Sequence, residues 1–420
     1  MKFIHAADVH LDSPLRGLER YEGAPVDEIR GATRRAFENI IELAIEEEAS
    51  FILLAGDLYD GDWRDYNTGL FFMRQMVRLQ EAGIKVFIVA GNHDAASQIT
   101  KTLRPPPNVR FFATRAPESI PMEELGVVIH GQGFPSRAVS EDLARQYPLA
   151  HADRFNIGLL HTSLDGRPGH EVYAPCTLDS LRSRGYQYWA LGHVHHREIV
   201  AEEPWVVFPG NTQGRHAQET GAKGCSLVTI AGNRVESVEH RALDVVRWSV
   251  CAVDISEAVT LDEVYERVEH ALSAAVRGAE DRLVAARVRI VGACPLHSPL
   301  RAAREQVINE CRALAEVAGA GNLWIEKVVF DTREAESEAA AMGRDDAFGG
   351  LLRSIRALEL DPDRLSRLAD EFGDLSIKLP LELRTGPDAL DPTQAVYLRV
   401  CLEDVKALLE QRLLREGRTA

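Results

Sequence analysis

The sequence predicts an α/β sandwich, a small α+β domain and a helical C-terminal segment, in that order. Three observations predict it. Through the first 245 residues, short apolar runs alternate with stretches of helical periodicity, the pattern of sheets covered by helices. From about Trp248 the order becomes strand, helix, strand, helix, strand, which suits a small α+β unit. Beyond a charged, alanine-rich stretch at 333–350, the chain returns to amphipathic helices. A chain of 420 residues is too long for one ordinary core, so two or three domains are expected.

The elements follow in order. "KFIHAAD" (2–8) reads as a strand, and residues 26–49 as a helix carrying Ile29, Phe37, Ile40, Ile41 and Leu43. "FILLAGD" (51–57) is a short apolar run closed by glycine, which suits a buried strand. A helical stretch at about 68–82 precedes "KVFIVAGNHD" (85–94), again strand and then glycine. Further strands are expected at 127–134, 156–162, 188–195 and 205–210, and Gly232-Asn233 marks a hairpin within 224–240. In the second unit, 246–332, the strands are "RWSVCAVDIS", "LVAARVRIVG" and "LWIEKVVFD", with helices at 261–277 and 301–318. Residues 333–350 read as a linker or exposed helix. The segment 351–420 holds two or three amphipathic helices, the last at about 392–416 with Val396, Val400, Leu402, Leu409 and Leu413. Such helices are either a domain's own surface or a docking element for a partner.

Composition narrows the class. Hydrophobic residues at 45% and charged residues at 27% exclude a disordered or fibrous chain. No apolar run approaches the ~18–20 residues that span a bilayer. The N-terminus meets a histidine after two apolar residues, so no signal-peptide core is expected. Cys176, Cys225, Cys251, Cys294, Cys311 and Cys401 form no C-x-x-C pair, which reads as reduced thiols in a cytoplasmic protein. The net charge of −16 argues against binding a polyanion by overall field, so a nucleic-acid substrate would need metals or a local basic patch.

Chemistry collects where the strands give out. Asp8 and His10 follow the first, Asp57 the second, and Asn92, His93 and Asp94 the third; His161, His193 and His195 follow later ones. In α/β folds, ligands bind beyond the carboxyl ends of strands. Each of these residues also has a plainer role, since Asp57 and Asp94 could cap helices and a lone His10 or His161 could be a satisfied polar group. Together they describe a metal site. With no thiolate, the set suits manganese, iron or magnesium rather than structural zinc. It is too large for one ion that keeps places for water and substrate. Two ions ~3.5–4 Å apart sharing a carboxylate would use it, lowering the pKa of a bound water and orienting in-line attack on phosphorus. His5 is expected in the core, and His196 and His216 at the surface or against a ligand. Asp12 either steadies a ligand or shapes a turn.

The ordered set D-x-H, G-D, G-N-H-D, H and G-H-x-H resembles the calcineurin-like metallophosphoesterase superfamily, whose fold is a β-sandwich flanked by helices. "KFIHAADVHLDSPLRGL", "LLAGDLYDG", "GNHD", "YWALGHVHHREIV" and "FPGNTQGRHAQETGAKGC" are similar to the SbcD-type DNA repair exonucleases, especially the YhaO-like branch. The likeness covers about residues 1–245; the overall length and a second small domain, 246–332 as a capping domain, are also similar, and the C-terminal third matches by arrangement alone. It implies that Asp8, His10, Asp57 and His195 hold one ion and that Asp57, Asn92, His161 and His193 hold the other, with Asp57 bridging. His93 would act on the leaving oxygen, with Asp94 orienting its ring. Glycines 56, 91 and 192 would allow turns close to the ions.

The resemblance also implies an activity and partners. Superfamily phosphatases place an arginine clamp after G-D-x-x-D; here Gly61 stands there, which favours a diester. Some related nucleases carry His where Asp60 stands, which leaves the role of Asp60 open. The expected function is a metal-dependent DNA exonuclease or endonuclease, with Mn2+ as the first choice and Mg2+ or Fe2+ as alternatives. It would act in DNA repair with an SMC-like ATPase bound by the C-terminal helices, as a homodimer for which the helix at 26–49 is a candidate surface. The alternatives are a small-molecule phosphatase or phosphodiesterase, and a scaffold for the ATPase with a degenerate site. The intact ligand set counts against the scaffold.

Overall fold

The computed structural model describes residues 1–13, 25–60, 66–96, 104–166, 171–334, 347–358, 361–373, 378 and 391–416. Contacts divide the chain into two units, one ending at Trp248 and the other beginning at Ser249.

In the first unit, β1 (Lys2–Ala6), β2 (Phe51–Ala55), β3 (Lys85–Val89) and β4 (Val109–Phe111) run parallel. Helix α1 (Val26–Glu46) joins β1 to β2, and α2 (Tyr66–Glu81) joins β2 to β3. A second sheet collects β5 (Glu118–Met122), β6 (Val127–Gln132), β7 (Phe155–His161), β8 (Tyr188–Gly192), β9 (Glu198–Glu202) and β10 (Trp205–Phe208), with α3 (Leu178–Arg182) before β8. The hairpin β11 (Gly224–Ala231) and β12 (Arg234–Ala242) returns to the first sheet. The sheet orders are β12-β11-β1-β2-β3-β4 and β5-β6-β7-β8-β10-β9.

Alternation along each strand divides the side chains between two layers. Phe3, Phe51, Leu53 and Val89 of one sheet meet Ile157, Leu159, Ala190 and Val207 of the other. The intervening residues Ile4, Ile52, Leu54 and Ile88 pack outward on Phe37, Ile40 and Ile41 of α1 and on Phe71, Phe72 and Met76 of α2. Those helix residues recur every three to four positions, which gives each helix one apolar stripe. Complete burial of each such side chain contributes roughly 1.5–3 kcal/mol. The far face of the second sheet is covered by Tyr147, Leu164 and Leu181 against Trp189, Leu191 and Phe208. His5 faces the layer between the sheets, with ring nitrogens 3.0 Å from the Tyr188 hydroxyl and 3.1 Å from the Leu191 carbonyl, the core role expected of it.

The strands not foreseen, β4, β5 and β9, all lie at sheet edges. An edge strand is short and half wet, so it lacks the continuous apolar run that reveals a central one. Strands β1 and β3 also stop earlier than their apolar composition suggested, at Ala6 and Val89. The residues beyond them belong to the site.

In the second unit, β13 (Val246–Asp254), which crosses the boundary between the units, β14 (Leu283–Cys294) and β15 (Leu323–Glu334) form a three-stranded sheet. Helices α4 (Leu261–Arg277), α5 (His297–Ala302) and α6 (Arg304–Gly319) supply Val264, Val268, Leu272, Leu300, Val307 and Cys311 to its core. Thr260 caps α4, its hydroxyl accepting from the Glu263 amide. Three helices follow among the described residues: α7 (Ala347–Arg356), α8 (Pro362–Glu371) and α9 (Ala395–Glu416). Helix α7 begins inside the stretch read as a linker, of which 335–346 lie outside the described residues. Helix α9 is seated by Arg356 Nε on Glu410 Oε1 at 2.9 Å and by Arg301 on Asp404 at 2.9 Å. Its Leu398 and Ala407 are buried, while Val396, Val400, Val405, Leu408 and Leu409 are exposed.

His130 on β6 tests the packing of the second sheet. It is wholly buried between the Ser119 hydroxyl (2.8 Å) and Asn156 Oδ1 (3.1 Å), stacked on Tyr186, and burial pushes it down to about 4. The unfolded chain takes up that proton near 6.5, so the folded form is favoured above this value and loses up to ~3 kcal/mol as pH falls towards 4. Urea unfolding of metal-free protein across this range should show a shallower pH dependence for His130→Gln than for the wild type.

Candidate metal centre

Strands β1, β2 and β3 of one sheet and β7 and β8 of the other deliver polar loops to a common site. These loops are strained. Asp8 (φ 50), His10 (φ 47), Asp57 (φ 52) and His193 (φ 104) all occupy backbone conformations that residues with a Cβ adopt rarely, at about 1–3 kcal/mol each. Backbone bonds hold them: the Asp8 amide donates to the Gly56 carbonyl and the His10 amide to the Asp57 carbonyl, both at 3.0 Å. Two glycines are required by close approach. A Cβ on Gly91 would stand 2.3 Å from Asp57 Oδ1, and one on Gly192 would stand 1.9 Å from the Ala55 carbonyl oxygen.

The hydrogen bonds fix the histidine tautomers. His161 Nδ1 donates to the Ala55 carbonyl at 2.8 Å, so its Nε2 carries a lone pair. That lone pair faces Asn92 Oδ1 at 3.0 Å and Asp57 Oδ2 at 3.5 Å, both acceptors. His195 Nδ1 donates to Glu219 Oε1 at 2.6 Å, and its Nε2 faces His10 Nε2 at 3.4 Å and Asp8 Oδ1 at 3.8 Å. His193 Nε2 donates to the Glu171 carbonyl at 2.8 Å, which makes Nδ1 its acceptor nitrogen. Asp57 Oδ2 lies between the two groups, 3.5 Å from His161 and 4.0 Å from His10.

Acceptors facing acceptors in a buried site repel unless a cation lies among them. Burial pushes Asp8 and Asp57 upward, and each sits amid further negative or lone-pair groups. Burial likewise holds His161 down at about 3, so a proton on the ring does not relieve the contact. The donor set therefore fits divalent cations. Asp8, His10 and His195 bring one ligand atom each within 4.8 Å of one another, and so do Asp8, Asp57 and His161. A third grouping, His10, Asp60 and His93, is closed by a direct His93–Asp60 hydrogen bond. His193 stands outside these tightest groupings, with its ring 5.2 Å from that of His161 and its amide donating to Asp8.

Residues 1–197 match the family described as "Calcineurin-like phosphoesterase", and residues 248–333 match "Metallophosphoesterase YhaO, middle domain". The chain is 35% identical over 364 residues to the uncharacterized metallophosphoesterase YhaO of Bacillus subtilis, covering 86% of this chain and 88% of that protein. This chain belongs to the YhaO-like metallophosphoesterases. It is also 24% identical over 260 residues to the DNA double-strand break repair protein Mre11 of Sulfurisphaera tokodaii, covering 58% of this chain and 63% of that protein. The corresponding protein of Aeropyrum pernix is 28% identical over 254 residues, covering 55% of this chain and 58% of that protein. The YhaO-like enzyme is thus a hydrolase of phosphoesters on a calcineurin-like fold.

Within this metallophosphoesterase, one expected role changes hands. Asp94 does not orient His93. Its carboxylate accepts from the amides of Leu58 (3.2 Å), Tyr59 (2.9 Å) and Gly91 (3.1 Å), and so ties the β2 loop to the β3 loop. Asp60 orients the ring instead, with Oδ1 2.8 Å from His93 Nδ1 and Oδ2 accepting from the Ser13 hydroxyl at 2.6 Å. The adjacent sequence position misled, because Asp94 opens a short 3-10 turn that aims its side chain back under the loops. Asp12 pairs with Arg34 and Thr68, away from the ligands. His196 is exposed, and His216 is half exposed with Nε2 3.6 Å from Glu219.

Glu219 is the functional residue that sequence reasoning missed. It lies 24 residues after His195, within "RHAQE", and carries no metal-ligand spacing of its own. Its Oε2 accepts from the Arg215 amide at 2.8 Å and from Asn211 Nδ2 at 3.0 Å, while Oε1 holds His195. Burial alone would raise this carboxyl, but the His195 bond and the Arg215 charge carry it far below its ordinary range. A carboxylate behind a ligating histidine fixes ring and tautomer. Glu219→Gln should therefore weaken Mn2+ binding roughly 10–100-fold in a calorimetric titration of metal-stripped protein.

Proposed function

We propose that this metallophosphoesterase is a metal-dependent DNA nuclease, acting as an exonuclease and as a single-strand endonuclease in DNA repair. The observation that carries the reading is a pair of acceptor nests that share Asp8, with Asp57 Oδ2 between them at 3.5 Å from His161 and 4.0 Å from His10, beside a histidine aimed by its own carboxylate. The Mre11 proteins similar to this chain are named for double-strand break repair, which supports DNA as the phosphodiester. In this reading Asp8, His10, Asp57 and His195 hold one ion and Asp57, Asn92, His161 and His193 the other, with Mn2+ the first candidate. When bound, the ions supply an activated water and neutralise phosphate charge, which offsets the net charge of −16.

The protein's own groups do the rest. Asp57 Oδ1 accepts from the His93 amide at 2.9 Å, so the bridging carboxylate and the acid residue move as one piece. Asp60 holds His93 Nδ1, which leaves Nε2 to pass a proton to the departing oxygen. The His93 ring lies edge-on to His10, 5.0 Å between centroids, and is about one-third exposed (32%), open to a substrate. Gly61, where phosphatases carry an arginine, lies outside the described residues.

The partner is an SMC-like ATPase. Helix α9 leaves Val396, Val400, Val405, Leu408 and Leu409 exposed around its circumference rather than on one apolar face, and this exposed apolar surface supports a docking role. The second unit would cap the DNA, and the nuclease would dimerise in the cytoplasm. Among the described residues, no helix is long and apolar enough to cross a membrane.

Two experiments test this. With Mn2+, the wild type should degrade labelled linear duplex, His93→Ala should lose roughly 10²–10⁴-fold, and Asp57→Ala should be inactive. Turnover of p-nitrophenyl phosphate with none on DNA would instead support a small-molecule phosphatase. Separately, truncation before residue 340 should abolish co-purification with the cognate ATPase while phosphoesterase turnover persists; retained binding would remove α9 from the partner surface.

A further inference from the structure

A guanidinium stands among the acceptors of this site with most of its donors unspent. Arg215 lies in the segment between β10 and β11, its side chain only 14% exposed. Its Nη2 donates to Glu219 Oε1 at 3.2 Å and lies 3.4 Å from His195 Nδ1. Its Nη1 is 3.9 Å from Asp60 Oδ2, beyond hydrogen-bond reach. Its Nε is buried with no hydrogen-bond partner among the described residues. A buried cation that leaves donors unpaired is costly, and folding alone would favour an apolar side chain there.

The surroundings name the class of group that completes it. Arg215 is held between the carboxylate that aims His93 and the carboxylate that aims His195, so it borders the space where both rings meet a substrate. A planar fork of N–H donors matches the oxygens of a tetrahedral oxyanion better than a water or an amide. Gly61 rather than an arginine directly follows G-D-x-x-D in this chain, so a phosphate contact from that position is missing.

We propose that Arg215 binds the non-bridging oxygens of the phosphate being hydrolysed and serves as the anion clamp of this enzyme. The assignment deepens the reading above and rests on its phosphoester chemistry alone, with no requirement that the ester be DNA. The competing role is a buttress that only steadies Glu219 and, through it, His195.

The two roles separate by what each variant loses. Full-length Arg215→Met and Arg215→Lys, loaded with Mn2+, are titrated calorimetrically with inorganic phosphate, and metal-stripped samples are titrated with Mn2+. A clamp predicts phosphate affinity roughly 10–100-fold weaker in Arg215→Met and intermediate in Arg215→Lys, with Mn2+ stoichiometry and affinity within about twofold of wild type. Phosphate affinity equal to wild type overturns the proposal. So does a loss of Mn2+ affinity that accounts for the loss of phosphate binding, which is the buttress outcome. Should Arg215→Met not fold, Arg215→Gln keeps a donor for Glu219 and is read by the same criteria. Phosphate binding involves neither turnover nor DNA, so a failed DNA assay would leave this result standing.

Discussion

The structure depends on one electrostatic conflict: lone pairs and carboxylate oxygens brought face to face in a buried place. Nε2 of His10 and Nε2 of His195 stand 3.4 Å apart, and Nε2 of His161 points at the amide oxygen of Asn92 at 3.0 Å. Left to themselves, these groups would turn away or take up protons. His161 and His195 cannot turn, because a carbonyl holds one ring from behind and a carboxylate holds the other. Protonation of His161 and His10 is opposed by burial before any neighbouring charge is considered. The fold therefore holds the site in a form that divalent cations would relieve. The strained residues Asp8, His10, Asp57 and His193 are part of the means of holding it.

Much of this was legible in the sequence. Ligand-type residues end consecutive apolar runs, and parallel strands in one sheet must end at one edge, so the pattern implies convergence before any coordinates exist. The central strands showed themselves because burial on both faces makes them uniformly apolar, as in "FILLA". The hairpin at Gly232-Asn233 was visible because turn chemistry is local. What the sequence hid was support rather than ligation. Glu219 reaches His195 across 24 positions, and nothing in their spacing implies the contact. Asp60 and Asp94 are both acids near His93, and only the path of the turn decides which one touches the ring.

The site also shows why this chain can be acidic and still approach an anionic ester. Its carboxylates are not spread as a repelling surface. Asp8, Asp57, Asp94 and Glu219 are each at least nine-tenths buried and committed to an amide, a ring or a neighbouring cation. Bound divalent ions reverse the sign of that interior locally, and Arg215 adds a fixed positive group at its border. Net charge is thus a poor guide to the potential a substrate meets, because that potential is set within a few ångströms of the ions.

Both nests draw on both sheets, and this ties the chemistry to the core. Asp8 and His10 follow β1 of the first sheet while His195 follows β8 of the second; Asp57 and Asn92 follow β2 and β3 while His161 ends β7. The spacing between the nests' halves is therefore the spacing of the sandwich, set by Phe3, Phe51 and Leu53 against Ile157, Leu159 and Ala190. Close-packed interiors are poorly compressible, so that layer acts as a rigid spacer rather than a cushion. A cation bound at either nest would join side chains carried by both sheets, and the apolar layer would set how closely they approach. A metal that binds only the folded chain would therefore add its binding free energy to the stability of the sandwich that holds its ligands in place.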